Sequence, residues 1–130
     1  MQEQVAQDID RAIETLGHAE VIHNKDVIDT LKILGARKKS ELTPEPHVIG
    51  KAKVRYRDVK PESFQSAAEF LEGITKDPTY KPRGRQLADF FEASVVITAM
   101  LKKHNIPPEN VDKFRSWSVA VLTNTMKRPG

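Results

Sequence analysis

The stretch that decides the fold is LADFFEASVVITAML, residues 87–101. Its apolar residues recur at helical spacing, which predicts the longest and most apolar helix of the chain, closing near His104 and Asn105. We expect this helix to lie at the centre of the domain. Its apolar run, residues 93–101, contains Ser94 and Thr98 and is too short to span a bilayer. The stripe consists of Leu87, Phe90, Phe91, Ser94, Val96, Ile97 and Leu101.

Four other segments have amphipathic helical patterns. A first helix is predicted around the seam Val5 to Ala19, packing on the rest of the domain, with a dimeric coiled coil as the alternative. A second helix is predicted from Asn24, as its N-cap, to Gly35. The third starts at Pro61 and ends at Lys76–Pro78, and the last starts at Pro107 and Pro108. A frayed basic tail is expected at residues 126–130.

Composition places the chain among soluble globular proteins. Its 130 residues are 38% hydrophobic and 30% charged, which predicts a single domain over residues 1–130, built as a mainly α bundle of about five helices. The absence of cysteine excludes disulfides and thiolate chemistry and fits a reducing compartment. No secretory signal is readable at the N-terminus. We therefore expect a cytoplasmic protein without a membrane partner.

Positive charge is concentrated in the middle of the chain. The net charge is −3 over residues 1–46, +4 over residues 47–86 and +2 over residues 87–130. In the stretch KAKVRYR, residues 51–57, cations alternate strictly with apolar residues, which is typical of a strand with one basic face. Repulsion within a row of like charges is unfavourable unless an anion neutralises them, so this strand is a candidate polyanion-binding surface. Its cations are Lys51, Lys53, Arg55 and Arg57.

The predicted strand, residues 48–59, is a short basic β element between the second and third helices. Residues 40–47 contain Pro44 and Pro46 and predict a linker from the N-terminal helical pair into the strand. Because a lone strand needs a partner, we expect a hairpin with a short undetected segment or a sheet completed by a second subunit, which would make the protein a homodimer. An edge strand protected by charges explains the same pattern.

A second basic cluster follows at residues 80–85, YKPRGR. Pro82 and Gly84 favour a tight bend from which Lys81, Arg83 and Arg85 project. The run from Pro82 to Arg85 resembles the core of the AT-hook family, and the resemblance implies insertion of Arg-Gly-Arg into a narrow minor groove. It covers four residues, and Gln86 stands where the family has a second proline. A solvated turn between two helices explains the same residues.

Sequence patterns for catalysis are absent. No phosphate-binding loop, dinucleotide-binding turn, zinc-protease helix or hydrolase elbow occurs in the chain. His18 and His23 fall on different helix faces, and His47 and His104 are isolated in the sequence, so no metal-ligand set is predicted. We expect neither a cofactor nor a small-molecule substrate, and no enzymatic activity.

These patterns favour a DNA-binding accessory or regulatory protein, with DNA preferred to RNA as the nucleic acid. The predicted contacts are the four strand cations and the loop cations Lys81, Arg83 and Arg85. The alternative is a non-enzymatic protein-interaction module, an adaptor or assembly factor, whose basic strand binds an acidic or extended partner segment.

Overall fold

Five helices form the structure, a computed structural model that describes residues 2–36 and 59–127, with side chains from residue 7 onward. They are α1 (Gln2–Gly17), α2 (Asn24–Gly35), α3 (Pro61–Lys76), α4 (Gln86–Lys103) and α5 (Pro108–Met126). The prediction of a mainly α bundle of five helices is confirmed. The described ranges contain no strand and no helix long and apolar enough to cross a membrane.

Helix α4 is central, as the apolar stretch 87–101 predicts, because it packs against α1, α3 and α5. Its Phe90 is 1% exposed and meets Phe70 of α3 edge to face at 5.4 Å between ring centroids. On the other side Phe90 meets Trp117 of α5 at 6.0 Å. These aromatic contacts tie three helices into one core. The first helix buries Ile9, Ile13 and Leu16 in the same core, so its seam packs on this domain.

Helices α2 and α3 lie side by side and antiparallel. Near the start of α2, Asn24 Nδ2 donates to Thr75 Oγ1 at 3.0 Å, close to the end of α3. At the other end, Gln65 Nε2 donates to the carbonyl of Gly35 at 2.8 Å. A Cβ on Gly35 would stand 3.1 Å from the carbonyl oxygen of Pro61, so a glycine is needed for this close approach. The chain therefore leaves α2 and enters α3 at neighbouring points.

The start of α2 differs from the prediction, and the end of α4 has a defined capping motif. Asn24 is the first residue of α2 rather than its N-cap; His23 is the cap residue, and no side chain caps the helix. The prediction was wrong because Asn24 bonds to α3 instead. Helix α4 ends in a Schellman motif: Asn105 has φ 60°, and the Ile106 N–H donates to the carbonyl of Leu101 at 3.1 Å.

Residues 37–58 lie outside the described part of the chain. The linker at 40–47 and all but the last residue of the strand predicted at 48–59 fall there, so both remain predictions. Val59, the first described residue after the gap, is 3% exposed and belongs to the core. In the predicted tail, Met126 is still helical and residues 128–130 lie outside the described ranges.

Candidate nucleic-acid interface

The basic loop, residues 77–85, is built on a carboxylate at the end of α3. Asp77 Oδ1 accepts hydrogen bonds from the Thr79 N–H at 2.9 Å and from the Thr79 hydroxyl at 2.7 Å. The Tyr80 N–H donates to the carbonyl of Asp77 at 2.9 Å. This local bonding turns the chain sharply after α3 and sends Tyr80 back towards the helix.

Tyr80 holds the basic loop against α3. A Cβ on Gly73 would stand 2.7 Å from the Tyr80 ring, so the ring lies against the bare backbone of that glycine. The Tyr80 hydroxyl donates to Gln86 Oε1 at 3.0 Å. The ring and hydroxyl of Tyr80 therefore position the loop, and the packing of the ring explains why residue 73 is a glycine.

Gln86 fixes the other end of the basic loop. Its Oε1 accepts the Arg83 N–H at 2.8 Å as well as the Tyr80 hydroxyl, and the residue is only 8% exposed. The Gln86 N–H donates back to the carbonyl of Arg83 at 3.0 Å, which closes a turn. The residue that departs from the AT-hook pattern is therefore the one that organises the loop.

The turn at Arg83–Gln86 differs from the extended chain that groove insertion requires. Gly84 has φ 52°, a left-handed conformation that glycine adopts at little cost. A Cβ at Gly84 would meet no atom within 4 Å, so the loop surface is open on this side. In this conformation the two arginines flank a bend, an arrangement better matched to phosphates than to the floor of a minor groove.

The three loop cations have different surroundings. Lys81, Arg83 and Arg85 are all exposed. The guanidinium of Arg85, 72% exposed, is directed along α4 and lies 3.2 Å from Glu92 and 3.8 Å from Asp89. The pair with Glu92, whose side chain is 34% exposed, contributes about 0–1 kcal/mol, so an incoming phosphate can replace it, whereas the Asp89 side chain is only 11% exposed. Lys81 and Arg83 are the more accessible contacts.

Five described acidic residues of α1 and α2 have surroundings other than the basic loop. Asp8, Asp26 and Asp29 line a cavity of about 220 Å³ between α1 and α2. Asp10 and Glu14 lie 3.2 and 3.5 Å from the ring nitrogens of His104 at the end of α4. Among the described residues, Asp89 and Glu92 of α4 are paired with Arg85, and Asp77 lies within the loop itself. Residues 77–85 keep a net charge of +2 from three cations and one carboxylate.

The basic segment Lys51–Arg57 lies outside the described residues, and only its point of return to the fold is known. That point is Val59, which is buried in the core and is followed by Lys60 immediately before α3. The 16 residues of α3 separate Lys60 from the basic loop, a length of about 24 Å. The exposed surface of α3 between them carries Glu62 and Glu69. The two basic clusters therefore join the fold at opposite ends of α3, with acidic side chains between them.

The described residues contain no group of three or more His, Asp or Glu side chains arranged to hold a metal ion. His104, which looks isolated in the sequence, lies 3.2 Å from Asp10 and so connects the end of α4 to α1, whereas His18 lies 3.2 Å from Glu14, four residues earlier in the chain. Sequence spacing missed the pairing of His104 because its partners lie some 90 residues away along the chain.

Comparison with known proteins found no family model, no curated protein and no solved structure that matches this chain.

Proposed function

We propose that the protein binds DNA in the cytoplasm as an accessory or regulatory factor, contacting phosphates through its basic loop. The observation that carries this proposal is the turn at Arg83–Gln86, which presents Arg83 beside an open glycine and is held by the buried oxygen of Gln86. A loop ordered before binding loses less conformational entropy on the ligand than a free tail would. This order supports a binding role for the loop cations in addition to any effect on solubility.

The start of α4 adds a second attraction for anions. The first N–H groups of a helix lack intrahelical partners and carry a partial positive charge. At α4 this end lies directly after Arg85, so a phosphate near the loop would meet cationic side chains and a helix N-terminus together. Such contacts fix the position of a duplex without reading its sequence.

Lys51, Lys53, Arg55 and Arg57 are proposed as a second contact, joined to the fold at the far end of α3. Homodimerisation is part of the same proposal, because a second subunit would complete the predicted sheet and double the basic surface. Sedimentation at several concentrations tests this part: a monomer at all concentrations would remove it.

Binding to a labelled DNA duplex at several salt concentrations tests the function. Replacing both Lys81 and Arg83 with alanine should weaken binding and reduce the slope of log affinity against log salt by about 2, since each lost phosphate contact removes about 0.9 from that slope. The matched control is the pair Arg11→Ala and Lys103→Ala, which removes one arginine and one lysine from exposed sites, with Lys103 at the opposite end of α4 from the loop. The control should retain the wild-type slope.

The outcomes separate the parts of the proposal. If the wild-type protein binds no duplex at low salt, DNA binding is excluded. If the Lys81 and Arg83 variant binds like the control, the loop is not the contact. The pair Arg55→Ala and Arg57→Ala tests the other segment in the same titration. An RNA duplex of the same sequence tests the expected preference for DNA.

A second candidate function is a non-enzymatic protein-interaction module. The observation that favours it is an exposed apolar groove between α4 and α5, lined in part by Phe91 and Met126. Binding anchored by apolar contacts would resist salt and would not be competed by bulk nucleic acid, in contrast to phosphate binding.

A further inference from the structure

The groove between α4 and α5 exposes apolar side chains that a folded domain normally covers. Four large apolar side chains of the described residues are more than half exposed, and three of them line this groove. They are Phe91 at 57%, Val119 at 59% and Met126 at 68%. Concentration at one place, rather than scatter over the surface, marks an interaction site.

Each helix contributes one regular row to the groove. On α4 the row runs from Phe91 through Val95 and Thr98 to Lys102. These residues are spaced at three or four positions, so they share one helix face. Eleven residues separate the ends of the row, which corresponds to about 16 Å, or three helical turns.

The row on α5 has the same length and runs from Arg115 through Val119 and Leu122 to Met126. Only residues 104–107 connect the two helices, so α4 and α5 run antiparallel. The space between the rows has a volume of about 540 Å³. A groove of three turns with apolar anchors along both walls matches a short amphipathic helix.

The groove also has an electrostatic direction. Lys102 and Arg115 stand towards the connection between the helices, whereas Phe91 and Met126 lie at the far end. The described residues that line the groove include these two cations and no carboxylate. Arg115 has a partner in Asp112 at 3.6 Å, but both side chains are exposed, so that pair is weak.

Segments of this chain are poor occupants. Residues 37–58 carry a net charge of +4, which the cationic end of the groove would repel. A second copy related by a two-fold axis would place its own Arg115 against apolar Met126 or against another cation. In either arrangement no carboxylate neutralises that arginine in the interface.

We propose that the α4–α5 groove binds an amphipathic helix of an acidic partner protein, with the carboxylates of that helix meeting Lys102 and Arg115. Carboxylates are favoured in the first turn of a helix by its macrodipole. The bound helix therefore starts at the cationic end and runs towards Phe91 and Met126, parallel to α5. This site is separate from the basic loop and does not depend on DNA binding.

The test uses a labelled synthetic helix of about 16 residues with glutamates in its first turn and leucines at helical spacing. It should bind the full chain, and Val119→Glu should weaken binding by about tenfold or more, because the added carboxylate enters the apolar groove and repels the peptide. Val21→Glu is the matched control, since Val21 is also 59% exposed and lies outside the groove. It should leave binding unchanged. The double change Lys81→Ala and Arg83→Ala should also leave peptide binding unchanged.

A second peptide, with lysines in place of the glutamates, tests the charge argument. Wild-type protein should prefer the acidic peptide, and Lys102→Glu combined with Arg115→Glu should reverse the preference. Equal affinity for the two peptides would contradict the proposal that the partner helix is acidic. If the wild-type protein binds neither peptide, the proposal is wrong. If it also sediments as a dimer that Val119→Glu dissociates, the occupant of the groove is a second copy of the chain. If the Val119→Glu variant binds the peptide as tightly as the wild-type protein, the peptide binds outside the groove and the proposed site is wrong.

Discussion

At the scale of single residues, the side chain of Gln86 has the largest effect on the basic loop. One oxygen accepts bonds from two different parts of the loop, the backbone at Arg83 and the hydroxyl of Tyr80. Both bonds need only an acceptor at that position. The loop therefore depends on an oxygen at residue 86 and not on an amide.

Replacing Gln86 with alanine should destabilise the protein by about 1–2 kcal/mol, because two hydrogen bonds are lost and the Tyr80 hydroxyl is left half-buried. Replacement with glutamate keeps an acceptor and should retain most of that stability. Urea unfolding of the two variants measures the difference. Equal losses in both would show that the acceptor oxygen is not what holds the loop.

Asn105 has a positive φ at the end of α4, where a Cβ is disfavoured. Asn105→Ala should lower the unfolding free energy by about 1 kcal/mol, whereas Asn105→Gly should be neutral or stabilising. Thermal unfolding measures both. Asn124→Ala, in the exposed surface of α5, is the control and should not destabilise. A stabilising Asn105→Ala would contradict the left-handed assignment.

At the scale of elements, sequence periodicity predicted the five helices because each has an apolar face to bury. It could not predict contacts between distant residues. By sequence alone Asn24 is a candidate helix cap, but its side chain donates to Thr75 of α3 instead. By sequence alone Gly73 weakens α3, but the Tyr80 ring packs against its backbone. Phe91 belongs to the apolar stripe of α4 by spacing, yet it faces solvent because α5 leaves one side of α4 uncovered.

The contact between Gly73 and Tyr80 makes the effect of a single methyl group depend on its neighbour. Gly73→Ala should destabilise the wild-type protein, since the added Cβ would stand 2.7 Å from the tyrosine ring. In a Tyr80→Ala background the same change should stabilise by about 1 kcal/mol, the helix preference of alanine over glycine. Unfolding of the four proteins forms a double-mutant cycle. The same sign in both backgrounds would contradict the packing.

At the scale of the whole molecule, the candidate site was predicted in part. The exposed cations of the basic loop follow from Pro82, Gly84 and their neighbours in sequence, because turn chemistry is local. The α4–α5 groove does not, since an uncovered helix face arises from how all five helices share their apolar surfaces. Lys51–Arg57 keep their status as a prediction.

The close approach of Gly35 to Pro61 predicts that the fold does not need residues 38–57. Replacing residues 38–57 with a six-residue Gly-Ser linker should leave a folded helical bundle, because the ends already meet and Val59 is retained. Circular dichroism and a cooperative urea transition measure this. Loss of the transition would show that the removed segment contributes to the core. If the variant folds, it also isolates the basic loop for DNA titration.

Helix α3 fixes the distance between Lys60 and the basic loop. Its length of about 24 Å equals about seven base-pair steps of B-form DNA. If DNA binds as proposed, a duplex shorter than that reaches either Lys60 or the basic loop, whereas a longer one reaches both. Affinity measured against duplex length should therefore rise in a step near seven base pairs instead of growing smoothly.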